Sequence, residues 1–444
     1  MFRYLIIFLG LLLLAACGEN PVFEQDNPFI DEEFTECING FAMEFPCDNV
    51  GLYAKLTPEE LLAEERDNLP ARLNDIWGWI DPQTGKEYAL VGLSDGISIV
   101  DVTIPWKPVV MAKIAEIQGA KAMGSSVPEL ANHDDGGGFK EASVWRDLKV
   151  YENYLYVVTE QDHGMQVFDL TRIRDITDPP VIFQEDYHYT LFHNAHNIAI
   201  NEETGYAYVV GSTRGQVCAE RGGLHMIRLH HNPLQPEFAG CYFEEEAGGS
   251  TRNGYIHDTQ CVIYTGPDNQ HTGREICFSS SEKTFTITDV TDKENAFTIF
   301  NDTYPNNSYS HQGWLTEDHR YFFMNDELDE MQTGNNTRTY VWDVQNLENA
   351  EMIGYYEHDT RAVDHNLYIK GDLMYQANYT AGLRVLDVSN PLPEFVHTTG
   401  YFNTTPDNDA VQFAGVWSVF PYLSHYTVLA SDIHNGLFIL RVKR

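Results

Sequence analysis

Seven short apolar runs recur along the chain, most opened by glycine and most closed by an aspartate and a small polar residue. They read GISIVDVT from Gly96, GMQVFDLT from Gly164, GLHMIRLH from Gly223, TFTITDVT from Thr284, RTYVWDVQ from Arg338, GLRVLDVS from Gly382 and GLFILRVK from Gly436. Self-similarity at intervals of roughly 45 to 70 residues is the signature of stacked supersecondary units, propeller blades among them. Around each copy the same order of runs returns. In the clearest unit SVWRDLKVY, NYLYVVTE, GMQVFDLT and PPVIFQED follow one another between Ser143 and Asp186. Four β-branched and aromatic runs separated by turn residues predict a four-stranded antiparallel meander, with PPVIFQED as its outer strand.

Repeating that grammar predicts an all-β, seven-bladed β-propeller of four-stranded antiparallel blades. The last unit offers only three runs, VWSVF, YTVLAS and GLFILRVKR, whereas NVGLYAKLT (Asn49 to Thr57) stands unassigned before blade one. Pairing that N-terminal strand with blade seven would close the ring and remove two exposed edges. One helix is expected over LTPEELLAEERDNLPARL, Leu56 to Leu73, with Thr57 as its N-cap and Pro58 at its first position.

The first residues read differently. Arg3 precedes a short apolar stretch from Leu5 to Leu14, too brief for a membrane span, and Leu14-Ala15-Ala16-Cys17 resembles a bacterial lipobox. The expected organisation is a lipoprotein signal peptide over 1–16, an acidic tether with a small cysteine loop over 17–48, and the propeller over 49–444. Cys17 would carry the lipid anchor, and Gly18 after it favours an exported, outer-membrane location. The six other cysteines fall in near pairs, Cys37 with Cys47, Cys218 with Cys241 and Cys261 with Cys277, which predicts three disulfides in an oxidising compartment.

Composition removes some partners. With 66 acidic against 28 basic residues the net charge is −38, so nucleic acid is excluded and the membrane is reached through the anchor alone. A monomer is expected, as is a protein, glycan or small ligand at the channel mouth. Neither a Gly-x-Ser-x-Gly elbow, a phosphate loop nor a His-Glu-x-x-His helix occurs, which removes the readily recognised hydrolase and nucleotide classes.

The inner strand of each blade lines the central channel, so aligned residues form rings. Alignment places Trp77-Gly78, Trp145-Arg146-Asp147, His196-Asn197, His257-Asp258, His311-Gln312, His365-Asn366 and Trp417-Ser418 near one level. Imidazoles from four consecutive blades could hold a transition metal through His196, His257, His311 and His365. The other reading is a polar ring, with Arg146, Asp147, Asn197, Asp258, Gln312 and Asn366 bonding between blades or to a ligand. Arg146 and Asp147 suit an ion pair between blades. The acidic run Asn325 to Glu330 suits structural calcium, or a solvated charged turn, since it lacks the spacing of a calcium loop. His133 to Gly138 reads as a flexible acidic insertion that could also lid the channel.

The phrases GISIVDVT, GMQVFDLT and GLRVLDVS resemble the LVIVD repeat. HQGWLTEDHRYFFMNDELDE, WRDLKVY and AVDHNLYIKGDLMYQANYTAGLRVLDVS are similar to the bacterial choice-of-anchor B family over about residues 50 to 444. The resemblance implies a secreted or surface propeller held by differing anchors and carries no reaction. The functional expectation is therefore a lipid-anchored binding module, with a metal-dependent enzyme in the histidine-lined channel as the alternative.

Overall fold

The computed structural model describes residues 34–62, 72–115, 145–218, 221–249, 253–406, 408 and 410–443. The expected signal peptide, Cys17 and the His133 to Gly138 insertion lie outside the described residues. Seven sheets, antiparallel but for one added edge strand, follow one another in chain order, and the inner strand of each packs beside that of the next until the seventh meets the first. The inner strands are Leu73–Ile80, Arg146–Tyr151, Asn197–Asn201, Asp258–Ile263, Ser310–Leu315, Asn366–Lys370 and Val416–Phe420. The chain is thus a seven-bladed propeller.

Physical chemistry explains why the middle strands read as unbroken apolar runs. Each blade is covered on both faces by its neighbours, so a strand such as Glu87–Leu93 is buried along its whole length. Seven apolar clusters fill the seven junctions, for example Trp79, Tyr88, Leu148 and Phe168 between blades one and two.

The aspartate that ends the repeated phrase acts locally. Asp101, Asp169, Asp289, Asp343 and Asp387 each accept the amide two residues on, at 2.8 to 3.0 Å, which turns the chain out of the third strand. Where arginine replaces it, the side chain serves elsewhere: Arg228 reaches Glu237 at 3.3 Å, and the Arg441 guanidinium lies 5.6 Å from the Phe34 ring centroid. The opening glycine has its own reason. Gly436 adopts φ +100°, and a Cβ there would sit 2.0 Å from the carbonyl oxygen of Leu56 on the closing strand.

Ring closure is as expected: Val50–Leu56 pairs antiparallel with Gly436–Val442 and supplies the fourth strand of blade seven. Two expectations about the edges change. Val181–Phe183, read as the outer strand of blade two, instead runs parallel to Val109–Ala115 as a fifth strand of blade one. The outer strand of blade two is Tyr187–Tyr189, paired with Met165–Val167. The cis Pro179-Pro180 peptide lies just ahead of the displaced strand. The cysteine loop expected in the tether also docks on the body: Phe45–Asp48 pairs with His397–Phe402, and Phe41–Ala42 follows, so blade six has six strands.

All three expected disulfides are present, Cys37–Cys47, Cys218–Cys241 and Cys261–Cys277. The helix is short among the described residues, Pro58–Leu61, held by a reciprocal capping box between Thr57 and Glu60. Leu61 is fully buried and its carbonyl accepts from the Ser98 hydroxyl, so the turn straps blade one.

Candidate functional site

The four histidines stand where their inner strands begin, and the ring curvature brings neighbouring blades within contact. Their imidazole centroids form an arc, 4.0 Å from His196 to His257, 4.2 Å to His311 and 4.3 Å to His365. Trp417 continues it 4.2 Å beyond His365, and Trp145 stacks on Trp417 at 4.3 Å. Blade one does not contribute Trp77 here. Its strand starts earlier, at Leu73, so Trp77 meets Tyr368 and Phe420 further along the channel.

The imidazoles are linked in sequence. His257 Nδ1 bonds the carbonyl of His311 at 2.9 Å, His311 Nδ1 that of His365 at 2.9 Å, and His365 Nδ1 that of Trp417 at 2.5 Å. A carbonyl oxygen can only accept, so each Nδ1 carries the hydrogen and each Nε2 of a neutral ring presents a lone pair. His196 Nδ1 instead meets the Glu160 carboxylate at 2.8 Å. Burial opposes a charge on His196, but that carboxylate outweighs it and holds the imidazole above its ordinary value. Burial and the neighbouring rings push His311 well down, and burial takes His365 down to about 3.

A carboxylate that the sequence pattern concealed completes this level. Glu327 follows the second strand of blade five, and its two oxygens lie 3.6 Å from His311 Nε2 and 3.6 Å from His365 Nε2. Tyr379 donates to Glu327 Oε1 at 2.9 Å, and burial pushes this carboxyl up to about 7. The acidic run around it is no solvated turn: Asp326, Asp329 and Glu330 are all buried. Asp326 is fully engaged, accepting from Tyr304 at 2.7 Å and from the amides of Ser308 and Tyr309. Both oxygens of Glu330 and of Asp364 have no hydrogen-bond partner among the described residues, and burial raises Glu330 to about 10 and Asp364 well above its ordinary value.

One layer further along lies the polar ring. Arg146 and Asp147 do not pair with each other. Arg146 donates to the Leu93 carbonyl at 2.6 Å, while Asp147 accepts from Lys149 at 2.6 Å and from the Ile198 amide at 2.7 Å. Lys149 also reaches Asp75 at 3.3 Å. Burial works against the ammonium charge, but the two carboxylates outweigh it and hold Lys149 protonated. Asn197 donates to Asp258 at 2.6 Å across the next junction, and Gln312 bonds both the amide and the carbonyl of Leu367. Asn366 is buried beside them at the start of its strand.

Beyond that layer the channel widens into a cavity of about 750 Å³. Trp77, Trp314 and Tyr422, all partly exposed, line it, with the buried Trp79, Tyr368 and Phe420 behind them and Lys149, Asn197, Asp258, Gln312, Glu152, Glu202 and Glu203 as its polar lining. The Lys149 ammonium sits 4.5 Å from the Trp77 ring centroid, a cation–π contact that fixes the indole. Its lining includes none of the four histidines, so the channel offers two chemically distinct sites.

The LVIVD repeat family matches residues 145–170 and 365–392, which are the inner three strands of blades two and six. No curated protein matches the chain. Among solved structures, the β-propeller domain of Cps50 (Swd1) from Myceliophteria thermophila aligns with a TM-score of 0.46 at 10% identity, covering 80% of this chain and 93% of that one.

Proposed function

We propose that the protein is an exported, lipid-anchored propeller that acts as a binding module and takes its ligand in the aromatic vestibule of the channel. The observation that carries this reading is the cavity of about 750 Å³ lined by the partly exposed rings of Trp77, Trp314 and Tyr422 together with amide, carboxyl and ammonium groups. Concave, largely apolar sites with a few convergent polar groups are where ligands are held. Aromatic faces over hydrogen-bonding floors suit the apolar faces and hydroxyl edges of a glycan. LVIVD repeats on a propeller also fit a protein-interaction module, in which case a side chain of the partner would fill the same vestibule.

Export is supported by the lipobox at Leu14 to Cys17 and by three disulfides, which persist only where thiols are oxidised. Mass spectrometry of the membrane fraction would detect an acylated Cys17, and its absence from native material would remove the anchor. For the ligand, a Cys17→Ser protein is screened on a glycan array and by pull-down, with Trp314→Ala as control. Binding that Trp314→Ala weakens at least about tenfold supports the vestibule. Binding unaffected by that change, or clean turnover of a substrate, defeats the reading.

A metal-dependent enzyme is the rival, favoured by the approach of His311, His365 and Glu327. Turnover abolished by chelation and restored by metal would establish it.

A further inference from the structure

We propose that His311, His365 and Glu327 form a binding site for a divalent transition-metal ion, with zinc the ion their ligand types fit best. This site stands at the histidine level, apart from the vestibule, and does not depend on what the vestibule binds. Among the described residues, this is the set of His, Cys, Asp or Glu groups whose ligand atoms all lie within 4.8 Å of one another.

The first argument is a count of donors. His311 and His365 have each committed their Nδ1 hydrogen to a carbonyl, at 2.9 and 2.5 Å. Their Nε2 lone pairs therefore face the two oxygens of Glu327, each 3.6 Å away. That is too long for a hydrogen bond, and neither neutral ring has a hydrogen to place there. With Glu327 ionised, four acceptor atoms thus converge, and among the described residues the donor that meets them is the Tyr379 hydroxyl, which reaches a single oxygen at 2.9 Å. A cation between them removes the repulsion.

The second argument is spacing and support. Ligands held about 2.0–2.2 Å from one tetrahedral ion lie about 3.4 Å from each other; here each imidazole is 3.6 Å from its nearer carboxylate oxygen and one ligand atom from each residue lies within 4.8 Å of the others, so an inward movement of the order of an ångström completes the set. Metal-binding imidazoles characteristically donate their other nitrogen to a carbonyl, as both do here, and ligating carboxylates are hydrogen-bonded in turn, as Tyr379 provides. Two imidazoles and one carboxylate suit zinc or iron, whereas calcium and magnesium prefer all-oxygen sets. The four-histidine site expected from the repeats is thereby narrowed to two imidazoles and a carboxylate. His257 then serves as support, since its Nδ1 bonds the His311 carbonyl at 2.9 Å.

The test uses the full chain purified without a nickel column, stripped with a chelator and returned to zinc or cobalt. The expected results are about one equivalent of bound zinc, a Tm raised by more than about 2 °C, and the visible bands of tetrahedral cobalt. Glu327→Gln and His311→Gln should weaken zinc at least about 100-fold, and Tyr379→Phe about tenfold. If a variant fails to fold, the cobalt spectrum of the parent protein still decides. Binding below about 0.2 equivalents with no shift in Tm overturns the proposal. So does binding equally tight in a folded Glu327→Gln protein.

Discussion

Asn197 and Asp258 meet across the junction of blades three and four, the amide nitrogen of the first 2.6 Å from a carboxyl oxygen of the second. Burial drives the Asp258 carboxyl up to about 7, although Lys149 and His196 pull against it. The folded chain therefore holds a proton here that the unfolded chain releases near pH 4. Stability from this group is complete below that pH and is lost as pH rises through about 7. Asp258→Asn should thus gain on the parent at higher pH, its Tm difference becoming more positive by about 2 °C or more between pH 5 and pH 8. A pH-independent difference would show that Asp258 titrates normally.

The opposite sign belongs to Asp81. This fully buried carboxylate follows the inner strand of blade one and is gripped by Arg174 of blade two at 2.5 and 2.9 Å, with Thr84 and the Gln83 amide on the same group. The Arg174 hydrogen bonds, foremost, hold its carboxyl far below the usual range. Its contribution is present above about pH 4 and is lost as pH falls below that. Because Arg174 is partly exposed, Asp81→Asn should cost about 2 kcal/mol at pH 7, less than a fully buried pair would lose. Urea unfolding at pH 7 and pH 3 checks this, and the cost should shrink at the lower pH.

Gly436 is the tightest point of ring closure. A methyl group there would lie 2.0 Å from the Leu56 carbonyl, at a backbone angle that side chains resist. Gly436→Ala should cost about 2 kcal/mol or more and speed proteolysis within Val50–Leu56 before other sites are cut. Uniform proteolysis would deny the closing strand its special role.

Cys261 and Cys277 occupy directly opposed positions on adjacent strands of blade four and close a loop of 16 residues. A double Cys261→Ala, Cys277→Ala change should lower stability by about 2–3 kcal/mol, read as a lower urea midpoint with the fold retained. Equal midpoints would mean the sheet alone fixes that register.

The blades were legible because their chemistry is local. An Asx turn after the third strand and a glycine before it leave marks within eight residues, as at Gly382 to Ser389. The histidine level was legible because repeats preserve position along the inner strand. Glu327 was not, because its run of carboxylates looks solvated until Tyr304, Tyr340 and Tyr379, distant in sequence, cover it. Trp77 lies off the histidine level because the inner strand of blade one begins at Leu73, four residues ahead of it, a start that the repeat pattern does not mark. Val181–Phe183 follows blade two in sequence yet joins blade one, because a strand's composition does not say which edge it joins.

The pairing of Val50–Leu56 with Gly436–Val442 sets an order of events during synthesis. A strand made ahead of all seven inner strands is partnered by the last strand of blade seven, so six blades can assemble while the seventh still lacks its edge. Through that interval the early strand keeps an unpaired backbone ladder and the growing ring stays open at both ends. Contacts this remote in sequence form late and slowly. Until Gly436–Val442 arrives, the same edge that later seals the ring is open to a strand of another copy.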